Sequence, residues 1–81
     1  MLICFVINNR DKEILLGFGK HLKQVRIKKG LSQHQLAYEA NINKNQVGNI
    51  ERGEVNPTLT TLISISKVLD IEFNELLDFK N

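Results

Sequence analysis

The sequence predicts one all-α domain of five helices, and three observations carry that expectation. Apolar residues recur three and four apart in separate stretches, the spacing that puts them on one face of a helix. Helix starters and stoppers such as Asp11, Gly30, Ser32, Asn43, Gly53 and Asn56-Pro57 punctuate those stretches. At 81 residues the chain has room for one core only, and a marginal one, which must pack efficiently or be completed by a partner.

The first seven residues stand apart. Leu2-Ile3-Cys4-Phe5-Val6-Ile7 is rich in β-favouring residues. Three structures are open to it: a disordered arm, a short strand paired with its mate from a second subunit, or a cap over the helices. An exposed apolar strand is an aggregation hazard, so burial is favoured, in a dimer contact or on the core. Asn8-Asn9-Arg10 breaks the run, giving an N-terminal extension over residues 1–10 and a domain over 11–81.

Asp11 is a candidate N-cap for a first helix from about Lys12 to Lys29. Leu15, Phe18, Leu22 and Val25 form its buried stripe, while Lys20, Lys23 and Lys28 lie in solvent. Gly17 and Gly19 each weaken a helix by about 1 kcal/mol relative to Ala, so fraying before Lys20 is expected. Gly30 ends the helix. Ser32 caps the second helix, Gln33 to Ala40, and Gln35 three residues later can complete a capping box. Asn41 takes the sharp bend, Asn43 caps a third helix from Lys44 to Arg52, and Gly53 stops it. The fourth helix is expected over Thr58–Leu69, with Leu59, Leu62, Ile65 or Ser66, and Leu69 facing inward. The fifth, about Glu72 to Leu77, offers Phe73, Leu76 and Leu77, and its start is less well marked because Glu72 is not a preferred cap.

The second and third helices form a unit. Small Ala37 allows a close crossing, Ile42 plugs the bend, and Val47 and Ile50 bury one side of the third helix. That is the spacing of a helix-turn-helix, whose second helix enters a DNA major groove. At about 100° per residue, Lys44, Gly48, Arg52, Asn45 and Asn49 fall within about 140° of arc, with Val47 and Ile50 outside it. Lys44 can donate to guanine O6 and N7, and Asn45 and Asn49 can pair bidentately with adenine. Gly48 lets the backbone approach the duplex closely. Gln46 points sideways, toward a phosphate, and Arg52 and Ser32 are further candidates for the DNA backbone. A solvated helix face is the plain alternative for two Asn and a Lys, and the flanking motif decides against it.

Arg26…Gly30-Leu31-Ser32-Gln33, then Leu36-Ala37, then Ile50-Glu51-Arg52-Gly53, then Asn56-Pro57 with Leu59, Leu62 and Leu69 together resemble the Cro/repressor-type, or XRE, helix-turn-helix family. The resemblance spans about Phe18 to Leu77. It implies a five-helix lambda-repressor-like fold and operator binding. It implies that Gln33 touches the DNA backbone and sometimes a base, and that Arg26 pairs with inward-facing Glu51. It also implies that the last helix, with Phe73, Leu76 and Leu77, builds a dimer contact, for which simple core closure is an equal alternative. Asn41 departs mildly from the family, which usually carries Gly there.

Charge agrees with a groove reader more in distribution than in sum. The formal charge is +2. Residues 1–52 hold nine Lys/Arg and four Asp/Glu, a net of +5, and residues 53–81 hold two and five, a net of −3. A basic side facing DNA and an acidic side turned away fit that split. The single cysteine, Cys4, excludes an intrachain disulfide and fits a reducing cytosol. The run Leu2–Ile7 is far shorter than the roughly 20 residues that span a bilayer and lacks a basic n-region, so no membrane partner and no cleaved leader are expected. His21 and His34 have no ligand-spaced partner, so neither a metal nor a cofactor is expected, and both are read as surface residues. Ser32 and His34 do not face one another, which leaves no nucleophile pair and no enzyme. The expected function is a cytoplasmic, sequence-specific regulator binding double-stranded DNA as a homodimer, most simply as a repressor. Restriction–modification controllers, phage-like repressors and antitoxins all come this short. The alternative is a protein-interaction module, as an antitoxin is toward its toxin.

Overall fold

The computed structural model describes the backbone of residues 2–80 and the side chains of residues 11–80. It is all-helical: α1 (Leu2–Lys28), α2 (Gln33–Ala40), α3 (Lys44–Glu51), α4 (Leu59–Leu69) and α5 (Phe73–Leu76), with no strand among the described residues. α2 packs against both α3 and α4, α1 crosses α3, and α5 closes on α4. One core results. Phe18 and Leu22 of α1 meet Leu36, Ala37 and Ala40 of α2, Val47 and Ile50 of α3, Ile65 and Leu69 of α4, and Leu76 of α5.

The middle of the chain follows its local signals. Ser32 Oγ accepts from the Gln35 N–H at 3.0 Å, and Gln35 Oε1 accepts from the Ser32 N–H at 2.9 Å, so the capping box is closed. Asn41 turns left-handed at φ 58° and the Ile42 N–H bonds back to the Ala37 carbonyl at 3.0 Å. This drops Ile42 against the core as the plug of the bend. Asn43 Oδ1 caps α3 through the Asn45 N–H at 2.9 Å. Thr58 is the N-cap of α4 rather than its first residue, its hydroxyl accepting from the Thr61 N–H at 3.3 Å.

Four expectations are corrected. α1 begins at Leu2, not after Asp11, so residues 2–7 are neither a strand nor an arm in their backbone, and Asp11 lies inside a helix. No Pro or Gly interrupts Leu2–Leu16, and extending a nucleated helix adds a hydrogen bond per residue without a new nucleus, which outweighs the small β preference of Ile and Val. The burial expected of the Leu2–Ile7 side chains lies outside the described residues. Second, α1 is continuous through Gly17 and Gly19. Gly19 is buried where α1 crosses α3, and a Cβ there would run into the carbonyl oxygens of Ile50 and Glu51. Third, Leu59 is 61% exposed, because it sits at the open first turn of α4, about 70° from the stripe of Leu62, Ile65, Ser66 and Leu69. Ser66 is buried as a small contact residue, its hydroxyl donating to the Ile63 carbonyl at 2.7 Å. Fourth, His21 is half-buried: its Nε2 lies 3.0 Å from the Glu75 carbonyl and its ring stacks on Phe79, which also meets Phe18 edge-on. The period-based reading missed this because Phe79 lies beyond the last helix.

Candidate nucleic-acid interface

α3 is held from behind at three places. Val47 and Ile50 are sealed in the core. The α1 backbone passes at Gly19 with no side chain between. Glu51, only 9% exposed, takes a forked pair of bonds from Arg26, Nε to Oε2 at 2.6 Å and Nη2 to Oε1 at 3.0 Å. A planar guanidinium meeting a carboxylate with two parallel bonds fixes direction as well as distance. Arg26 Nη1 donates further to the Leu31 carbonyl at 2.9 Å, tying the α1–α2 loop to the same pair. Gln33 Nε2 gives Glu51 Oε1 a third donor at 2.9 Å. The charge is therefore buried with its hydrogen-bonding capacity largely filled, and no buried side-chain polar atom among the described residues lacks a partner.

The opposite face of α3 is polar and open. Lys44 and Asn45 are exposed at its first turn. Asn49 is half-buried one turn on, as is Gln46 to the side. Ser32 and Gln33 stand exposed at the start of α2, beside this face. Arg52, at the end of α3, is exposed and engaged twice: Nη2 donates to Asn49 Oδ1 at 2.5 Å and Nε to Glu54 Oε2 at 3.0 Å. The structure thus brings Ser32, Gln33, Lys44, Asn45, Asn49 and Arg52 around one groove-sized helix.

Gly48 is placed differently from expectation. It is buried, not open: the space where its side chain would stand is covered by Arg52 Nη1, 3.1 Å from an ideal Cβ, and Gln33 Oε1, at 3.3 Å. The glycine makes room for two side chains of this protein, and its backbone is not bare to an approaching duplex. Leu76, for which a dimer contact and core closure were equal readings, is fully buried in the chain's own core, while Phe73 is half-buried and Leu77 is 41% exposed. One participant carried no advance signal. Glu54 lies beyond the end of α3, where helical periodicity says nothing about which way it points.

Among the described residues no three His, Cys, Asp or Glu side chains form a group able to hold a metal ion. No described helix is long and apolar enough to cross a membrane.

The chain is similar to known proteins in sequence and in fold. The control protein C.BamHI of Bacillus amyloliquefaciens is 39% identical over 67 residues, covering 82% of this chain and 83% of the relative. SinR of Bacillus subtilis, an HTH-type transcriptional regulator, is 39% identical over 64 residues, 78% of this chain and 58% of SinR. A structure of SinR in complex with DNA superposes with a TM-score of 0.70, covering 75% of this chain. The restriction-modification controller protein C.AhdI of Aeromonas hydrophila superposes with a TM-score of 0.75 at 40% identity, covering 76% of this chain and 94% of that one. The helix-turn-helix family HTH_3 matches residues 22–76, from the buried stripe of α1 to the last turn of α5. With its bend at Asn41 and its braced third helix, the chain belongs to that helix-turn-helix family, the Cro/repressor or XRE type.

Proposed function

We propose that this protein is a sequence-specific transcription regulator that binds a palindromic operator as a homodimer, with α3 in the major groove. The observation that carries the reading is the two-sided character of α3, an open Lys44–Asn45–Asn49 face on a helix braced from behind by the Arg26–Glu51 fork. Lys44, Asn45, Asn49 and Gln33 are the base readers. Ser32, Gln46 and Arg52 meet phosphates and set register. Gly48 acts from beneath, as the floor on which Gln33 and Arg52 lie. Relatives matched over most of their own length are named controllers, and the SinR structure holds DNA; both support a small regulator acting on DNA. A two-fold dimer would set the two α3 helices about 34 Å apart, one turn of duplex. The contact between copies rests on exposed Leu77 and half-buried Phe73, since Leu76 is withdrawn into the core.

The test is selection from a random duplex pool at near-physiological salt. The expected result is an inverted repeat with half-sites about one helical turn apart and an affinity that falls steeply with salt. Asn45→Ala should lose about 1–3 kcal/mol of discrimination at one base pair per half-site. A pool without enrichment would overturn the reading and turn attention to a protein partner, such as a toxin, for the acidic C-terminal part.

A further inference from the structure

Arg52 and Asn49 are already bonded to each other, and that bond bears on which base Asn49 reads. We propose that Arg52 is a positioning residue that fixes the Asn49 amide with its Nδ2 leading into the groove, and that Glu54 anchors Arg52 for this task. The inference rests on the DNA-reading function proposed above and deepens it.

The chemistry is one-sided. A guanidinium carries donors only, so the amide atom facing Arg52 must be the oxygen, whichever way the amide would otherwise turn. Arg52 Nη2 meets Asn49 Oδ1 at 2.5 Å, while Arg52 Nε is held by Glu54 Oε2 at 3.0 Å. The guanidinium lies across Gly48, where a side chain would crowd it. Three residues thus fix its place: a carboxylate behind, a glycine beneath and an amide in front. Glu54 lies two residues beyond Arg52, past the helix end, so the clamp closes within the six residues 49–54.

A free Asn recognises adenine by accepting from N6 and donating to N7. With Oδ1 turned toward Arg52 and one of its two lone pairs occupied, Asn49 presents its two Nδ2 hydrogens first. Paired acceptors in the major groove, N7 and O6, belong to guanine. The clamp therefore moves the preference at the base pair under Asn49 from adenine toward guanine. Arg52 keeps Nη1 for a phosphate, so it serves affinity and, through Asn49, specificity.

The experiment compares selected sites for the wild type, Asn49→Ala, Arg52→Met and Glu54→Ala, alongside side-chain amide relaxation of Asn49 by NMR in the free protein. Asn49→Ala identifies the base pair concerned. The expected result is guanine there for the wild type, with a shift of about fivefold or more toward adenine in Arg52→Met. Glu54→Ala should shift the preference in the same direction by less, which keeps the test open if Arg52→Met folds poorly. In the free protein the Asn49 amide should be rigid in the wild type and mobile in Arg52→Met. If Arg52→Met binds all sequences more weakly with an unchanged base profile, Arg52 is a phosphate contact alone and the inference fails while the function stands. If the wild type selects no site, the function fails, and the NMR comparison still decides the clamp: equal mobility in both proteins would overturn it.

Discussion

Glu51 shows what a single residue contributes. Its carboxylate is buried with three donors, from Arg26 Nε, Arg26 Nη2 and Gln33 Nε2. Removing one partner of such a pair leaves the other charged in a dry place, which typically costs about 3–5 kcal/mol, a large part of the stability of a domain this small. Glu51→Ala should therefore lower the thermal unfolding midpoint sharply, with DNA binding lost as a consequence. A variant that melts like the wild type would remove the pair from the list of structural interactions. Nothing in composition or periodicity announces that Arg26 meets Glu51, 25 residues away; only the family resemblance pointed there. By contrast Ser32, Gln35, Asn41 and Asn43 were readable directly, because a cap or a left-handed turn is decided by residues one to three apart. Asp70, which turns left-handed at φ 56° to end α4, gave no such signal, since Asp adopts that conformation only where the surrounding chain requires it.

At the scale of elements, α2, α3 and α4 were legible almost to the residue, as was the end of α1 at Gly30, whereas the start and the middle of α1 carried the errors. Local β preference in Leu2–Ile7 suggested a strand, and the glycines at 17 and 19 suggested fraying. Both readings weighed each residue alone; extension of an already nucleated helix overrode the first, and the packing of α1 on α3 overrode the second. Gly19 is the clearest case, since the crossing of α1 over α3 requires it. Gly19→Ala would gain about 1 kcal/mol in helix propensity if the helix stood alone. In this fold the added methyl must push apart the backbones of α1 and α3, and overpacking of this kind costs about 1–3 kcal/mol or more. The net expectation is destabilisation, measured as a lower denaturation midpoint in urea. A stabilised Gly19→Ala variant would mean that the crossing is looser than the fold requires.

For the molecule as a whole, the sequence disclosed the helical class, the helix-turn-helix and the identity of most core residues, because all of these follow from the periodic placement of apolar side chains. It did not disclose which ends of those stripes stay uncovered. Leu59 was expected inside and is exposed, and for Leu76 a subunit contact and core closure stood equal until its full burial favoured closure, because coverage is decided by how far neighbouring helices extend. The proposed dimer can be tested on that distinction. Leu77 is exposed in the single chain, so Leu77→Glu should leave the melting of dilute protein nearly unchanged and shift sedimentation toward the monomer. A variant that stays dimeric would place the contact elsewhere. The bracing of α3 also sets which parts of the protein are free to vary. Lys44 and Asn45 project from an end of the helix where Asn43 supplies a purely local cap. Asn49 and Arg52 are joined by a hydrogen bond, and Gly48 lies under Gln33, which is bonded to Glu51. Retargeting the protein to a new site by exchanging residues 44 and 45 would leave the scaffold alone. Exchanging 48, 49 or 52 would disturb a shared arrangement, so new recognition codes should be accessible one substitution at a time at the front of the helix and only in concerted sets at its rear.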